Sequence, residues 1–147
     1  MVILSKLSER LSELMFEHNM TATNLAKQLG VPPSTITRYI KGDCLPSFRS
    51  FVALIETFNC SADFLLGKID LPNTEKEYRK VQPFDKRFKE LLKEYKFSQY
   101  ALHKKTNFSY DNFNKWLKGV TAPYLDNLLK LADAFDCSID YLLGREN

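Results

Sequence analysis

Ser34, Thr35, Thr37 and Arg38 lie within five residues of one another in the stretch Leu25–Gly42, LAKQLGVPPSTITRYIKG. Each carries a group made for hydrogen bonding: hydroxyls that donate and accept, and a guanidinium with a fixed fork of donors. Held on one face of a short rod, such a set suits base edges and phosphates. Bond-breaking chemistry is not expected of it. No paired carboxylates, Cys–His couple or phosphate-cradling glycine loop accompanies it, so no enzyme activity and no catalytic residue is expected.

Two short helices must hold that face outward. Leu25 and Leu29 mark the apolar side of the first; Ile36 and Ile40, with Tyr39 beside them, mark that of the second. Gly30 falls where the first must stop, and glycine adopts the left-handed conformation there without a Cβ clash. Val31 fills the corner. Pro33 is tolerated at the first position of the second helix, where its missing N–H would have had no partner. A helix, a glycine turn and a crossing helix make a helix-turn-helix.

At 147 residues the chain is one medium domain or two small ones. A formal net charge of +3 and a pI near 8.7 permit a nucleic-acid partner without demanding one. The first residues, MVILSKLSERLSELMF, have too short an apolar run for a signal peptide. No window is apolar enough for a membrane span, so no membrane partner is expected. Cys44, Cys60 and Cys137 are odd in number and widely spaced. That pattern reads as a reduced, cytoplasmic protein with no disulfide frame, no metal site and no cofactor.

The chain is written twice. Shifted by 77 residues, positions 6–68 match positions 83–145 at 17 of 63 places without a gap. Lys41-Gly42 falls on Lys118-Gly119, and Cys60-Ser61-x-Asp63 on Cys137-Ser138-x-Asp140. Leu65-Leu66-Gly67 falls on Leu142-Leu143-Gly144. Each copy reads as five short helices, giving an all-α chain: domain one over 1–68, a linker over 69–83 and domain two over 84–147. Leu7, Leu11, Leu14 and Met15 form the stripe of the first helix; its twin carries Phe84, Phe88, Leu91, Leu92 and Tyr95. Thr21, Ser98, Ser109, Ser61 and Ser138 are placed as N-caps. In the linker, Leu71-Pro72-Asn73 breaks the chain and Thr74-x-x-Glu77 has the capping-box spacing, which predicts a short charged helix.

These motifs together resemble the Cro/repressor-type (XRE-like, lambda-repressor-like) helix-turn-helix family, once per copy. The resemblance rests on Thr21, Leu25-Ala26, Gly30-Val31, Ile36-x-x-Tyr39 and Gly42. It rests also on the closing Phe64-Leu65-Leu66-Gly67 and Tyr141-Leu142-Leu143-Gly144. It implies two tandem five-helix bundles whose third helices, about 33–41 and 110–118, enter the major groove of double-stranded DNA in transcriptional regulation. Copy two departs from the pattern at His103, where copy one has Ala26, and at Asn107 in place of Gly30. Copy one has Ala22 where the family often places Gln; Gln99 retains it in copy two.

On that resemblance, Pro33, Ser34, Thr37 and Arg38 face bases in copy one, and Tyr110, Asp111, Asn114 and Lys115 do so in copy two. Thr21, Thr35 and Lys41, with Ser98, Gln99 and Lys118, face phosphates. Asp111 can accept from cytosine N4 or simply favour a helix N-terminus. Tyr110 can touch a thymine methyl or pack; the lysines can meet phosphates or stay solvated. The basic side is local: residues 98–119 hold Lys104, Lys105, Lys115 and Lys118 against Asp111 alone. Cys60 and Cys137 read as small apolar residues rather than a redox pair, and His18 and His103 as core or surface groups. A homodimer is a further expected partner state. In the rival reading one copy, the second, is a protein-interaction or dimerisation module.

Overall fold

Side-chain caps fix where most of the helices begin. The Thr21 hydroxyl accepts from Asn24 N–H at 3.1 Å, Ser98 from Ala101 at 3.0 Å and Ser109 from Asn112 at 3.1 Å. Ser47, Ser61 and Ser138 do the same for the helices after them, each satisfying a donor the helix leaves without a partner. The computed structural model describes residues 2–72 and 76–147, with side chains from Leu4 onward. Every regular element among them is an α-helix. In order these are α1 (Val2–Glu17), α2 (Ala22–Leu29), α3 (Pro33–Lys41), α4 (Phe48–Phe58) and α5 (Ala62–Leu65). Then follow α6 (Phe84–Glu94), α7 (Gln99–Thr106), α8 (Tyr110–Leu117), α9 (Leu125–Phe135) and α10 (Ile139–Leu142).

The chain divides into two compact units, Met1–Tyr78 and Arg79–Asn147. In the first, α1 packs on α3 and α5, and α2 on α3 and α4. Leu7, Leu11, Leu25, Ile36, Phe51, Leu54, Ile55 and Leu65 are closed off from solvent at its centre, each contributing about 1.5–3 kcal/mol of burial. In the second, α6 packs on α8 and α10, and α7 on α8 and α9. Its core is aromatic where the first is largely aliphatic: Phe84, Phe88, Phe108, Phe113 and Trp116 stand at the registers of Leu7, Leu11, Val31, Ile36 and Tyr39. Their rings meet mostly edge to face, Phe108 to Trp116 at 5.4 Å and Phe88 to Trp116 at 5.8 Å.

Buried arginines close each bundle. In the first unit the Arg10 guanidinium donates to the carbonyls of Phe64 and Ile69 and lies over the Phe64 ring, 4.3 Å from its centroid. Arg87, at the same register, donates to the carbonyls of Tyr141 and Leu142 and lies over the Tyr141 ring. These contacts pin the first helix of each bundle to its last.

The stretch expected as a linker is held at both ends. Asp70 faces Arg10 at 4.0 Å. Arg79 N–H donates to the Arg145 carbonyl and Gln82 N–H to the Leu143 carbonyl, both at 3.1 Å. The expected capping box begins at Thr74, outside the described residues. Residues 76–83 contain no helix, so the short charged helix expected there is corrected over that part. Pro83 explains the difference between copies. It disfavours helical backbone at Gln82, whereas Lys6 at the same register lets α1 begin at Val2.

Candidate nucleic-acid interface

The turn before α3 is built from backbone. Gly30 adopts φ +70°. Its N–H donates to the Lys27 carbonyl at 3.3 Å, and Val31 N–H to the Ala26 carbonyl at 3.1 Å, the paired bonds of a Schellman motif. Ile36 and Tyr39 then bury the inner face of α3, and the Ser8 hydroxyl of α1 donates to the Ile40 carbonyl at its far end. With that face fixed, Pro33, Ser34, Thr37, Arg38 and Lys41 are exposed and Thr35 is half-buried. The Thr37 hydroxyl donates back to the Pro33 carbonyl at 3.3 Å. Among the described residues the side chains of Lys27, Arg38 and Lys41 enter no ion pair, hydrogen bond or ring contact.

The second unit reaches the same shape by different bonds. Asn107 takes the left-handed position at φ +63°, and its N–H donates to the His103 carbonyl at 2.7 Å. Phe108 N–H turns to the Thr106 hydroxyl at 3.2 Å instead. Since a carbonyl only accepts, the 2.6 Å contact between His103 Nδ1 and the Phe108 oxygen is a donation from the ring. His103 thereby takes the corner that Ala26 leaves open, and the exposed Tyr110 ring lies on it at 4.8 Å and 26°.

Two such turns, each leading into a short helix whose apolar face is buried and whose polar face is exposed, carry the comparison with known proteins. Residues 87–147 match the model of the Cro/C1-type HTH DNA-binding domain, and residues 11–65 match a helix-turn-helix model. The chain carries two tandem Cro/C1-type helix-turn-helix domains. A protein of Bacillus subtilis (strain 168), named as the uncharacterized HTH-type transcriptional regulator YobD, is 28% identical over 76 residues, 52% of this chain and 68% of that protein. No solved structure matches the chain. The domains are of a DNA-binding type in an all-helical fold. Among the described residues no helix is long and apolar enough to cross a membrane. Nor, among them, does any group of three or more His, Cys, Asp or Glu side chains converge as for a metal ion.

Within this frame the two Cro/C1-type domains differ in how their outward groups are engaged. α8 begins at Tyr110, so Asp111 is the second residue of the helix, beside the Ser109 cap. Its Oδ2 lies 3.1 Å from Lys115 Nζ, an ion pair at the i,i+4 spacing that the sequence contained in plain view. Lys104 lies over the exposed Tyr100 ring at 5.5 Å, and Lys105 over the Phe97 ring at 5.0 Å. Asn114 is exposed. Lys118 is exposed as the C-cap residue, one beyond the helix. Gln99 is half-buried at the start of α7, while Thr21 and Ser98, though exposed, each spend a lone pair on their own helix. The His103–Tyr110 stack had no periodic signature: it depends on two residues seven apart that a turn brings together.

Proposed function

We propose that the chain is a sequence-specific, double-stranded-DNA-binding transcriptional regulator, with α3 and α8 as the helices laid into the major groove. The observation that carries this reading is the outward face of α3. Ile36 and Tyr39 fix the helix from within, so Arg38 projects to solvent, its guanidinium without a partner among the described residues. A guanidinium so placed can bond guanine O6 and N7 together, worth about 1–3 kcal/mol of discrimination. Pro33, Ser34 and Thr37 lie beside it, with Lys41 and the half-buried Thr35 flanking the groove as phosphate contacts. Thr21 supplies a further contact from the start of α2. In the second domain Tyr110, Asp111, Asn114 and Lys115 take the base-facing places, and Ser98, Gln99 and Lys118 the phosphate-facing ones. Such a protein works in the cytoplasm, without cofactor or catalysis, and a second copy of the chain is a natural partner on symmetric sites.

Competitive titration of one duplex selected from a random pool, against the unselected pool, tests the proposal. The parent chain prefers the selected duplex, and Arg38→Ala removes most of that preference while leaving the fold intact. Equal binding to both pools at moderate salt overturns it. The reading of the second domain as a protein-interaction module draws on Lys115 being paired and on the exposure of Tyr100, Tyr110 and Tyr124. Under it, Asn114→Ala and Lys115→Ala leave DNA affinity unchanged.

A further inference from the structure

The two recognition helices offer a duplex unlike chemistry. On α3 the reach outward ends in hydroxyls and in a guanidinium with no partner among the described residues. On α8 the corresponding places hold a tyrosine, a carboxylate, an amide and an ammonium, and three of the four are arranged by the protein itself. Asp111 holds Lys115 at 3.1 Å. Tyr110 lies flat on His103, which is anchored in turn to the Phe108 carbonyl. Asn114 stands exposed between these pairs. A guanine presents two acceptors, O6 and N7, to the major groove, and Asp111 repels both while neutralising the nearest cation. Adenine N6 and N7 fit the Asn114 amide, and a thymine methyl fits the held aromatic edge.

We infer that the two domains read different half-sites, so that one chain's target is an asymmetric bipartite duplex: a guanine-bearing half for α3 and an A·T-weighted half for α8. This rests on the DNA-reading function proposed above. Arg38 and Asn114 are specificity-determining residues of the separate halves, and His103 is a positioning residue acting through Tyr110. Nothing in it requires the two halves to be symmetry mates, as a pair of identical domains would.

Selection of duplexes by the full-length chain tests it. Each bound site is expected to contain two unlike motifs in fixed order and spacing. Arg38→Ala flattens the guanine position of one motif only, and Asn114→Ala the adenine position of the other only. Each raises Kd for the parent's selected duplex by about fivefold or more. His103→Ala flattens the position read by Tyr110, and His103→Phe, which keeps a ring under the tyrosine, restores it. The phenylalanine variant also serves if the alanine one folds poorly. Two like motifs overturn the inference, as does a single motif erased by Arg38→Ala and indifferent to Asn114→Ala; in both cases DNA reading itself survives. A parent chain that selects nothing removes the DNA-reading function, and this inference with it.

Discussion

Charged side chains in these two domains divide sharply between those turned to solvent and those closed into the bundles. Arg145 and Asp140 form a pair at 2.6 Å with side chains only 1% and 2% exposed. Removing one partner leaves a buried charge uncompensated, so Arg145→Ala is expected to destabilise the second domain by about 3–5 kcal/mol. Urea unfolding followed by the fluorescence of Trp116, the sole tryptophan, measures this directly. A second group gives a pH signature. The Tyr141 hydroxyl donates to a Glu94 carboxylate oxygen, and that hydrogen bond, with burial second, raises the phenol above its ordinary value of 10.0. The folded state thus keeps its proton where the unfolded chain has begun to lose it. The stabilisation is complete below pH 10 and disappears as pH rises through the raised value. Tyr141→Phe is expected to flatten the alkaline fall in Trp116-monitored stability; an unchanged slope would remove Tyr141 as its source. None of these buried partners was read from the sequence, because arginine and aspartate are assigned to the surface by default. The clue available was register: Arg10 and Arg87 are identical across the repeat without belonging to any apolar stripe.

The helices themselves were largely legible, because caps and stops are chemical. Thr21, Ser98 and Ser109 cap the helices they were expected to cap, and α3 spans Pro33–Lys41 as its apolar pattern and proline predicted. The backbone at Gly30 and Asn107 yields a paired prediction. A Cβ built at Gly30 meets nothing within 4 Å, so any penalty of Gly30→Ala comes from the left-handed backbone alone, about 1–2 kcal/mol. Gly30→Asn is expected to cost clearly less, since Asn107 already occupies that conformation in the second domain. Chemical denaturation of both variants checks the order, and equal losses would mean the turn is limited by packing instead. Legibility failed where local pattern met a tertiary contact. Residues 76–83 carry helix-compatible charge, but Gln82 precedes a proline and its N–H is taken by the Leu143 carbonyl. The same holds at the candidate interface: spacing placed the outward residues, whereas the ring stack under Tyr110 is a product of the folded turn.

At the scale of the whole chain, duplication gives each domain its own complete core, and the single tryptophan lies in only one of them. That distribution makes the energetics of the two units separable. Leu11 is fully buried in the first unit, and Leu11→Ala is expected to cost that unit about 2–5 kcal/mol. The loss appears in far-UV circular dichroism, which sees the helices of both units, as an early transition, while the Trp116 midpoint stays where it was. Phe135→Ala, in the second unit's core beside Tyr95 and Phe97, is expected to move the Trp116 midpoint by a comparable amount and leave the first unit's transition alone. Both signals shifting together for either variant would show that the units unfold as one. Selected duplex then adds a test of linkage, because a ligand that binds only the folded form raises its stability by RT ln(1 + [L]/Kd). If each domain grips its own half-site, a duplex carrying both raises both midpoints. A duplex with the α8 half scrambled raises the first unit's transition and leaves Trp116 nearly unmoved.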